Sequence, residues 1–264
     1  MQAGYRIVRC RSCGLVYVDP RPHPHELPPL YAAYHARGGE DAASWGRLME
    51  RVFRESAERV AASRNGVGPG RLVDIGCGFG AFVALMRERG WDAEGLDPSE
   101  AAVAAAAARG IPVRRGTLED ADLPAEGYDA VTLFYVLEHL HDPAAALAKV
   151  FRILAPGGML LVRVPHTTPV VRLLAPFGLG ATLYDPPFHL YDFRPDVLAR
   201  MLAGAGFSSI RTFPGATTVP SGAGARAATA FFGAAARVLH RASGGRLLLP
   251  GVSKSTVAFK PTGK

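Results

Sequence analysis

The chain has 264 residues, of which 48% are hydrophobic and 20% are charged. This composition suits one α/β domain with appendages or two small domains, and it excludes a globally disordered chain. No apolar run reaches the roughly 18 residues of a membrane span. The first residues lack the apolar core of a signal peptide, and the three cysteines are too few for a secreted disulfide scaffold. We therefore expect a cytoplasmic protein with no membrane partner.

The formal net charge of +7 raises the question of a nucleic-acid or acidic partner. The basic residues are scattered along the chain, and the densest run is Arg9 and Arg11 with Arg6 nearby. A scattered charge reports on association and solubility more than on a binding site. We therefore expect no nucleic-acid partner.

A short cysteine motif lies near the N-terminus, where Cys10 and Cys13 precede Gly14. Two thiolates at this spacing make half of a tetrahedral zinc site, and His23 and His25 are the available residues that could complete it. The alternatives are a knuckle remnant or a pair of free or reversibly oxidised thiols. With no second C-x-x-C in the sequence, we expect no bound zinc and assign no metal ligands.

The chain divides into three predicted parts. Residues 1–25 form the partial knuckle-like segment, including a short strand and turn at GLVYVDPRP. Residues 26–66 form a helical N-terminal cap, because apolar residues recur at helical spacing before a Gly-rich loop. Residues 67–264 form the main domain, interrupted over 165–194 by a Pro-rich and aromatic insertion without a clean period. Such an insertion is more often a functional loop or lid than a simple connection.

From Arg71 onward, predicted strands and helices alternate. The strands are predicted at 71–76, 92–97, 112–116, 128–136, 159–164, 208–213 and 254–260. The helices are predicted at 80–89, 99–109, 143–154, 195–204 and 222–243, with Ser99 as an N-cap. The alternation predicts an α/β fold with a doubly wound parallel sheet and helices on both faces.

The most informative stretch is RLVDIGCGFGAF, which begins the main domain. An apolar strand ends near Asp74, and Gly76, Gly78 and Gly80 then form a turn before a helix. Glycines permit positive φ and close approach of a ligand to the backbone, and a helix start offers unpaired N–H groups. This layout predicts a site for a ligand with an anionic or strongly polar part.

A dinucleotide is one candidate ligand, because Gly76, Gly78 and Ala81 match the spacing of its fingerprint and Asp97 follows at a suitable distance. Asp74 argues against it, since a charge there would face the pyrophosphate. The chain also offers no separate dehydrogenase catalytic domain. An NAD-dependent oxidoreductase therefore remains an alternative and not our leading interpretation.

Four blocks in order resemble the class I S-adenosylmethionine-dependent methyltransferase family: VDIGCGFGAF, GLDPSE, YDAVTLFYVLEHLHDP and LAPGGMLLVRVP, within about residues 70–165. CRSCGLVYVDPRP near the N-terminus and FHLYDF after the insertion are similar to a bacterial branch that modifies small molecules. In that branch the N-terminal knuckle usually has two C-x-x-C pairs, whereas this chain has one. The resemblance implies a Rossmann-like, mostly parallel seven-stranded sheet with a helical N-terminal extension and a lid insertion.

The resemblance also implies the cofactor S-adenosyl-L-methionine and its binding residues. Asp97 would accept hydrogen bonds from both ribose hydroxyls. Pro98 would lie against the adenine. The other implied contacts are Asp74, Gly76, Cys77 and Gly78 at the methionine end, Thr117, Leu118 and Glu119 at the adenine edge, and Phe134 and Tyr135 beneath the sulfonium.

Methyl transfer is an in-line displacement that depends on close alignment, and many acceptors need a base. Histidines near the carboxyl edge of the predicted sheet are the candidates for that base. In order of preference they are His189, His166 and His139. Three tyrosines are candidates for a lid over the cofactor or acceptor: Tyr31, Tyr34 and Tyr191.

We expect a small-molecule acceptor, methylated on oxygen, nitrogen or carbon. Two alternatives stay open. Asp185–Phe188 spells DPPF, which resembles a signature of DNA amino-methyltransferases, although that signature ends the fourth strand and here it falls in the insertion. The chain could also be a non-catalytic scaffold that keeps the methyltransferase fold.

Overall fold

The computed structural model of the chain describes residues 4–27, 30, 42–177, 181–220, 222–249 and 253–263. The predicted lid residues Tyr31 and Tyr34 lie outside these ranges. Within the described part of the chain, none of the helices combines the length and hydrophobicity that a bilayer-spanning helix needs.

Within the described ranges, ten strands form two sheets. The strands are β1 (Arg6–Arg9), β2 (Val16–Asp19), β3 (Arg71–Ile75), β4 (Asp92–Asp97), β5 (Val113–Arg115), β6 (Tyr128–Phe134), β7 (Leu154–Val164), β8 (Tyr191–Asp192), β9 (Ser208–Pro214) and β10 (Lys254–Phe259). The larger sheet has seven strands in the order β5-β4-β3-β6-β7-β10-β9. Neighbours from β5 to β7 pair in parallel, and β10 is antiparallel to both β7 and β9. The predicted mostly parallel seven-stranded sheet is confirmed.

Seven α-helices are described: α1 (Ala42–Ala62), α2 (Ala81–Glu88), α3 (Glu100–Ala107), α4 (Pro143–Ile153), α5 (Thr168–Leu174), α6 (Pro195–Gly204) and α7 (Ala223–Ala242). Ser99 caps α3 as predicted, since its hydroxyl accepts a hydrogen bond from the Ala102 N–H at 3.3 Å. Short 3-10 helices occupy Pro24–Glu26, Ala175–Phe177 and Ala181–Tyr184.

Two hydrophobic clusters cover the two faces of the large sheet. On one face, Val131 of β6 belongs to a cluster with Leu147 of α4 and Leu198 of α6. On the other face, Leu72 of β3 belongs to a cluster with Phe82 of α2, and α1 and α3 contribute to the same cluster. All of these side chains are buried. The sheet is therefore a central layer with helices on both sides, as the alternation predicts.

The strand predicted at 159–164 is longer in the structure, where β7 begins at Leu154 directly after α4. The sequence Pro-Gly-Gly at 156–158 suggested only a helix stop. Instead, the Gly157 N–H donates to the Lys260 carbonyl, and the Lys260 N–H donates to the Gly158 carbonyl, both at 2.9 Å. Pairing with a distant part of the chain thus extends the strand, while Gly157 provides a φ of 78°.

A second sheet, with the order β1-β2-β8, was not predicted as a unit. The sequence indicated a strand near β2, but neither β1 nor the two-residue β8 within the insertion. β8 pairs antiparallel with β2, joining Tyr191 to Tyr17 and Asp192 to Val16. The predicted irregular insertion therefore contains α5 and a strand that attaches the N-terminal hairpin to the main domain.

Candidate active site

Several of the predicted site residues follow strands of the large sheet at one edge, because parallel strands end at the same edge. The loop after β3 contains the Gly-rich turn, and Asp97 is the last residue of β4. Glu138 and His139 follow β6, and His166 follows β7. Ligands of open α/β sheets bind in the crevice outside these carboxyl ends.

The three glycines of the turn have different surroundings. All three adopt positive φ, at 66° for Gly76, 54° for Gly78 and 74° for Gly80. A Cβ on Gly76 would come within 2.4 Å of Val136 Cγ2, and one on Gly80 within 2.7 Å of Ile111 Cγ2. A Cβ on Gly78 would meet no atom of the described chain within 4 Å. Gly76 and Gly80 are thus required for packing, whereas Gly78 presents its backbone to open space.

Asp97 joins the end of β4 to this turn. Its Oδ2 accepts a hydrogen bond from the Gly78 N–H at 2.7 Å, and its Oδ1 accepts one from the Ser99 N–H at 2.9 Å. Each carboxylate oxygen has capacity for a further hydrogen bond. Asp97 therefore holds the turn in place, and its carboxylate can also accept hydrogen bonds from a ligand diol.

Asp74 is a buried carboxyl group one residue before the end of β3. Its Oδ1 accepts a hydrogen bond from the Thr132 hydroxyl at 2.6 Å. Burial raises the pKa of Asp74 to about 8, and the nearby negative charge of Asp97 adds to the effect, while the Thr132 hydrogen bond opposes it. An ammonium group of a ligand would stabilise the ionised form.

Cys77 packs its side chain inward. A Cβ on Gly95 of β4 would come within 2.4 Å of the Cys77 sulfur, which shows how closely the thiol fits against that strand. Burial raises the pKa of the Cys77 thiol. Any contact with a ligand in the turn would therefore come from the Cys77 backbone.

The residues predicted at the adenine edge differ in exposure. Pro98 and Glu119 are exposed, and Leu118 is buried in the core. The Thr117 hydroxyl donates to Asp120 Oδ2 at 2.8 Å. Asp120, which was not predicted as a site residue, is the carboxylate that shapes this turn.

Phe134 and Tyr135 end β6 in different ways. Phe134 is buried and makes an edge contact with Phe82 of α2, with ring centroids 4.8 Å apart. Tyr135 has a φ of 58°, which is uncommon for a non-glycine residue. Its hydroxyl donates to Ser253 Oγ at 2.9 Å and accepts from Arg163 Nε at 2.8 Å. Arg163 is 1% exposed and was not predicted as a site residue.

Two of the predicted histidines lie together. The rings of His139 and His189 have centroids 4.9 Å apart, and His139 Nδ1 is 2.8 Å from the Phe188 carbonyl oxygen. Burial lowers the pKa of His189. Glu138, which was not predicted as a site residue, is buried beside them.

His166 lies next to Lys254 of β10. Its Nδ1 is 3.4 Å from Lys254 Nζ. Burial, followed by the positive charge of Lys254, lowers the pKa of His166 to about 4. His166 is consequently a neutral imidazole at physiological pH, the form that can accept a proton.

Tyr191, predicted as a lid residue, is 6% exposed and belongs to β8. Its hydroxyl donates to the His141 carbonyl at 2.8 Å and accepts a hydrogen bond from Arg21. In the structure the side chain thus connects the N-terminal segment to the loop after β6.

Sequence and structure comparisons show the family and the fold to which the chain is similar. The profile of a family described as "Methyltransferase domain" matches residues 45–212. An S-adenosylmethionine-dependent methyltransferase of Mycolicibacterium smegmatis is 33% identical over 165 residues, which are 62% of this chain and 59% of the relative. A ubiquinone biosynthesis O-methyltransferase of Alkalilimnicola ehrlichii is 31% identical over 172 residues, or 61% of this chain and 69% of the relative.

A solved structure of an S-adenosylmethionine-dependent methyltransferase from Thermotoga maritima aligns with a TM-score of 0.54 at 18% identity, covering 90% of this chain and 100% of the other. At this identity the alignment supports the fold alone. The matched family model and the shared fold define the class of proteins with a methyltransferase domain. The chain belongs to the methyltransferase-domain family.

Proposed function

We propose that this protein transfers a methyl group from S-adenosylmethionine to a small-molecule acceptor. The observation that carries the proposal is the Gly78 backbone, which faces open space while its N–H is held by Asp97 at 2.7 Å. A compact ligand with a diol and a polar end fits such a turn. When bound, S-adenosylmethionine supplies an electrophilic methyl group.

The residues of this chain would share the binding as follows. Asp97 accepts hydrogen bonds from the ribose hydroxyls while it keeps the turn in place. Asp74 stabilises the ammonium of the methionine end, helped by the backbones of Gly76, Cys77 and Gly78. The adenine contacts would be made by Pro98 and the turn at 117–119, and Phe134 and Tyr135 would lie beneath the sulfonium.

We propose a hydroxyl group as the acceptor. The names of several relatives, ubiquinone biosynthesis O-methyltransferases, support oxygen over nitrogen or carbon. A hydroxyl becomes a useful nucleophile when a base removes its proton. His166 and His189 both have lowered pKa values, so each is neutral near pH 7 and able to accept that proton.

A methylation assay tests this proposal. The purified protein is incubated with S-adenosylmethionine bearing a deuterated methyl group and with a panel of hydroxylated aromatic compounds and bacterial metabolite extracts. Mass spectrometry should find a product heavier by one deuterated methyl group, absent with Asp97→Ala. Binding of the cofactor without any methylated product would instead support a non-catalytic scaffold, and methylation of DNA alone would support the nucleic-acid alternative.

A further inference from the structure

Glu138 is the most unusual polar residue at the sheet edge. It is 1% exposed, and both of its carboxylate oxygens lack a hydrogen-bond partner in the described part of the chain. Burying a carboxyl group without a partner is unfavourable, and a buried acid is normally paired, hydrogen-bonded or bound to a metal. A bound ligand or ion that pairs with this carboxyl group would therefore explain why it is buried.

Two imidazoles lie within reach of the same carboxylate. One ligand atom from each of Glu138, His139 and His189 can be chosen so that all three atoms lie within 4.8 Å of one another. Among the described residues this is the one group of three or more potential ligands with such spacing. The cysteines Cys10 and Cys13 do not form part of such a group.

The backbone holds these three residues in place. The Leu190 N–H donates to the Glu138 carbonyl at 2.8 Å, which ties the loop after β6 to the insertion that carries His189. The Phe188 carbonyl lies 2.8 Å from His139 Nδ1 and accepts its N–H in the Nδ1-protonated tautomer. A backbone carbonyl on one ring nitrogen is the usual second contact of a metal-binding histidine, because it orients the ring and leaves Nε2 as the ligating atom.

We propose that Glu138, His139 and His189 bind a divalent transition-metal ion such as Zn²⁺. Two imidazoles and one carboxylate are a donor set that such ions favour, and three protein ligands leave a coordination position open. This inference goes beyond the proposed function, because metal binding can be measured without any methyl transfer. If the proposed function holds, the open position would take the acceptor's hydroxyl oxygen.

Metal ligation would also divide the roles of the histidines. An imidazole nitrogen that ligates a metal has no lone pair left to accept a proton. His166, which is adjacent to Lys254 and outside the three-residue group, would then be the base. Metal and base would thus occupy neighbouring positions after β6 and β7.

A metal titration tests the site directly. The full chain is stripped with a chelator and titrated with Zn²⁺ in competition with a chromophoric chelator. We expect one equivalent of tight binding that is retained in the Cys10→Ser/Cys13→Ser double variant. Loss of a residue that hydrogen-bonds to a metal ligand commonly weakens metal binding about 10- to 100-fold. Glu138→Gln and His189→Asn replace the ligands themselves, so each should weaken metal binding at least as much. His166→Asn is the matched control and should bind as the wild type does.

Thermal unfolding separates a metal-binding role from a structural one. A metal that binds only the native state raises Tm by an amount that grows with the logarithm of its free concentration relative to Kd. Zn²⁺ should therefore raise the Tm of the wild type by more than that of Glu138→Gln, while the metal-free variant is at least as stable as the metal-free wild type. Co²⁺ should give visible bands without the near-ultraviolet thiolate band. Absence of stoichiometric Zn²⁺ binding, or its loss in the cysteine double variant, would overturn the proposal.

Discussion

The carboxylate of Asp97 accepts a hydrogen bond from the backbone N–H of Gly78 at 2.7 Å, so the end of β4 holds the turn that follows β3. The same carboxylate accepts the Ser99 N–H at 2.9 Å, at the start of α3. One side chain therefore fixes two loops at the carboxyl edge of the sheet. This arrangement leaves open space beside Gly78 and fixes the conformation of the turn.

Substitutions of the glycines in the turn should distinguish effects on cofactor binding from effects on stability. Gly78→Ala places a methyl group in open space, so we expect a loss of stability of about 1–2 kcal/mol from the positive φ and a loss of cofactor binding. Gly76→Ala should lower Tm further, because its methyl group would overlap Val136. Thermal unfolding and calorimetry measure the two effects. Equal losses of stability in both variants would argue against this division.

Cofactor binding should release a proton from Asp74 at pH 7. The pKa of this carboxyl is raised to about 8 by burial, so it is mostly protonated below that pH. A ligand ammonium favours the carboxylate, and affinity should therefore increase as the pH rises towards 8. Calorimetry in buffers of different ionisation heat measures the released proton.

Asp74→Asn is the control for this proton release. The ligand's own α-amino group has a pKa of about 7.7–8.0 and therefore contributes to the measured proton exchange with either protein. The variant should show only that contribution. Thr132→Val removes the hydrogen bond that opposes the raised pKa, and should shift the rise in affinity to higher pH. Identical proton release by the wild type and Asp74→Asn would contradict the assignment.

The cysteines should differ sharply in reactivity. Hydrogen bonding, first from the Ser12 side chain, lowers the pKa of Cys10 to about 6, whereas burial raises that of Cys77. Iodoacetamide at pH 7 should modify Cys10 quickly and leave Cys77 intact in the folded protein. Ser12→Ala should slow the modification of Cys10. Peptide mass spectrometry measures each rate, and rapid modification of Cys77 would be inconsistent with its buried position.

Lys254 should control the titration of His166. Burial is the largest cause of the lowered pKa of His166, which is about 4. The positive charge of Lys254 is the second cause, because it disfavours the imidazolium. Lys254→Met should therefore raise the pKa of His166, as measured by NMR of the labelled ring. Lys260→Met is the comparison, because Lys260 contacts Glu126 and the Leu154 carbonyl instead. An unchanged pKa in Lys254→Met would refute this coupling.

The large sheet could be predicted from local pattern, since buried parallel strands are continuous apolar runs and the helices between them are amphipathic. The small sheet could not, because β1 and β8 have only four and two residues and β8 pairs with a strand far away in sequence. The start of β7 was missed for a similar reason. Its glycines pair with Lys260 across the fold, and no local signal shows that contact.

The candidate site was only partly predictable. The glycines, Asp74 and Asp97 follow a strong motif, whereas Glu138, Arg163 and Lys254 were not singled out. A signal existed for Arg163, because a single charge within the apolar run MLLVRV of a central strand must be buried. The proximity of His139 to His189 depends on how the insertion folds back, which the sequence does not show.

Calorimetric titration with S-adenosylhomocysteine is the most direct test of the central claim that the turn and Asp97 bind the methyl donor. We predict one binding site per chain in the wild type. Asp97→Ala removes charge-assisted hydrogen bonds worth about 1.5–3 kcal/mol each, so affinity should fall about tenfold or more. Asp92→Ala, a change of an exposed side chain at the other end of β4, should bind normally. Absence of binding by the wild type, or equal affinity in Asp97→Ala, would contradict the claim.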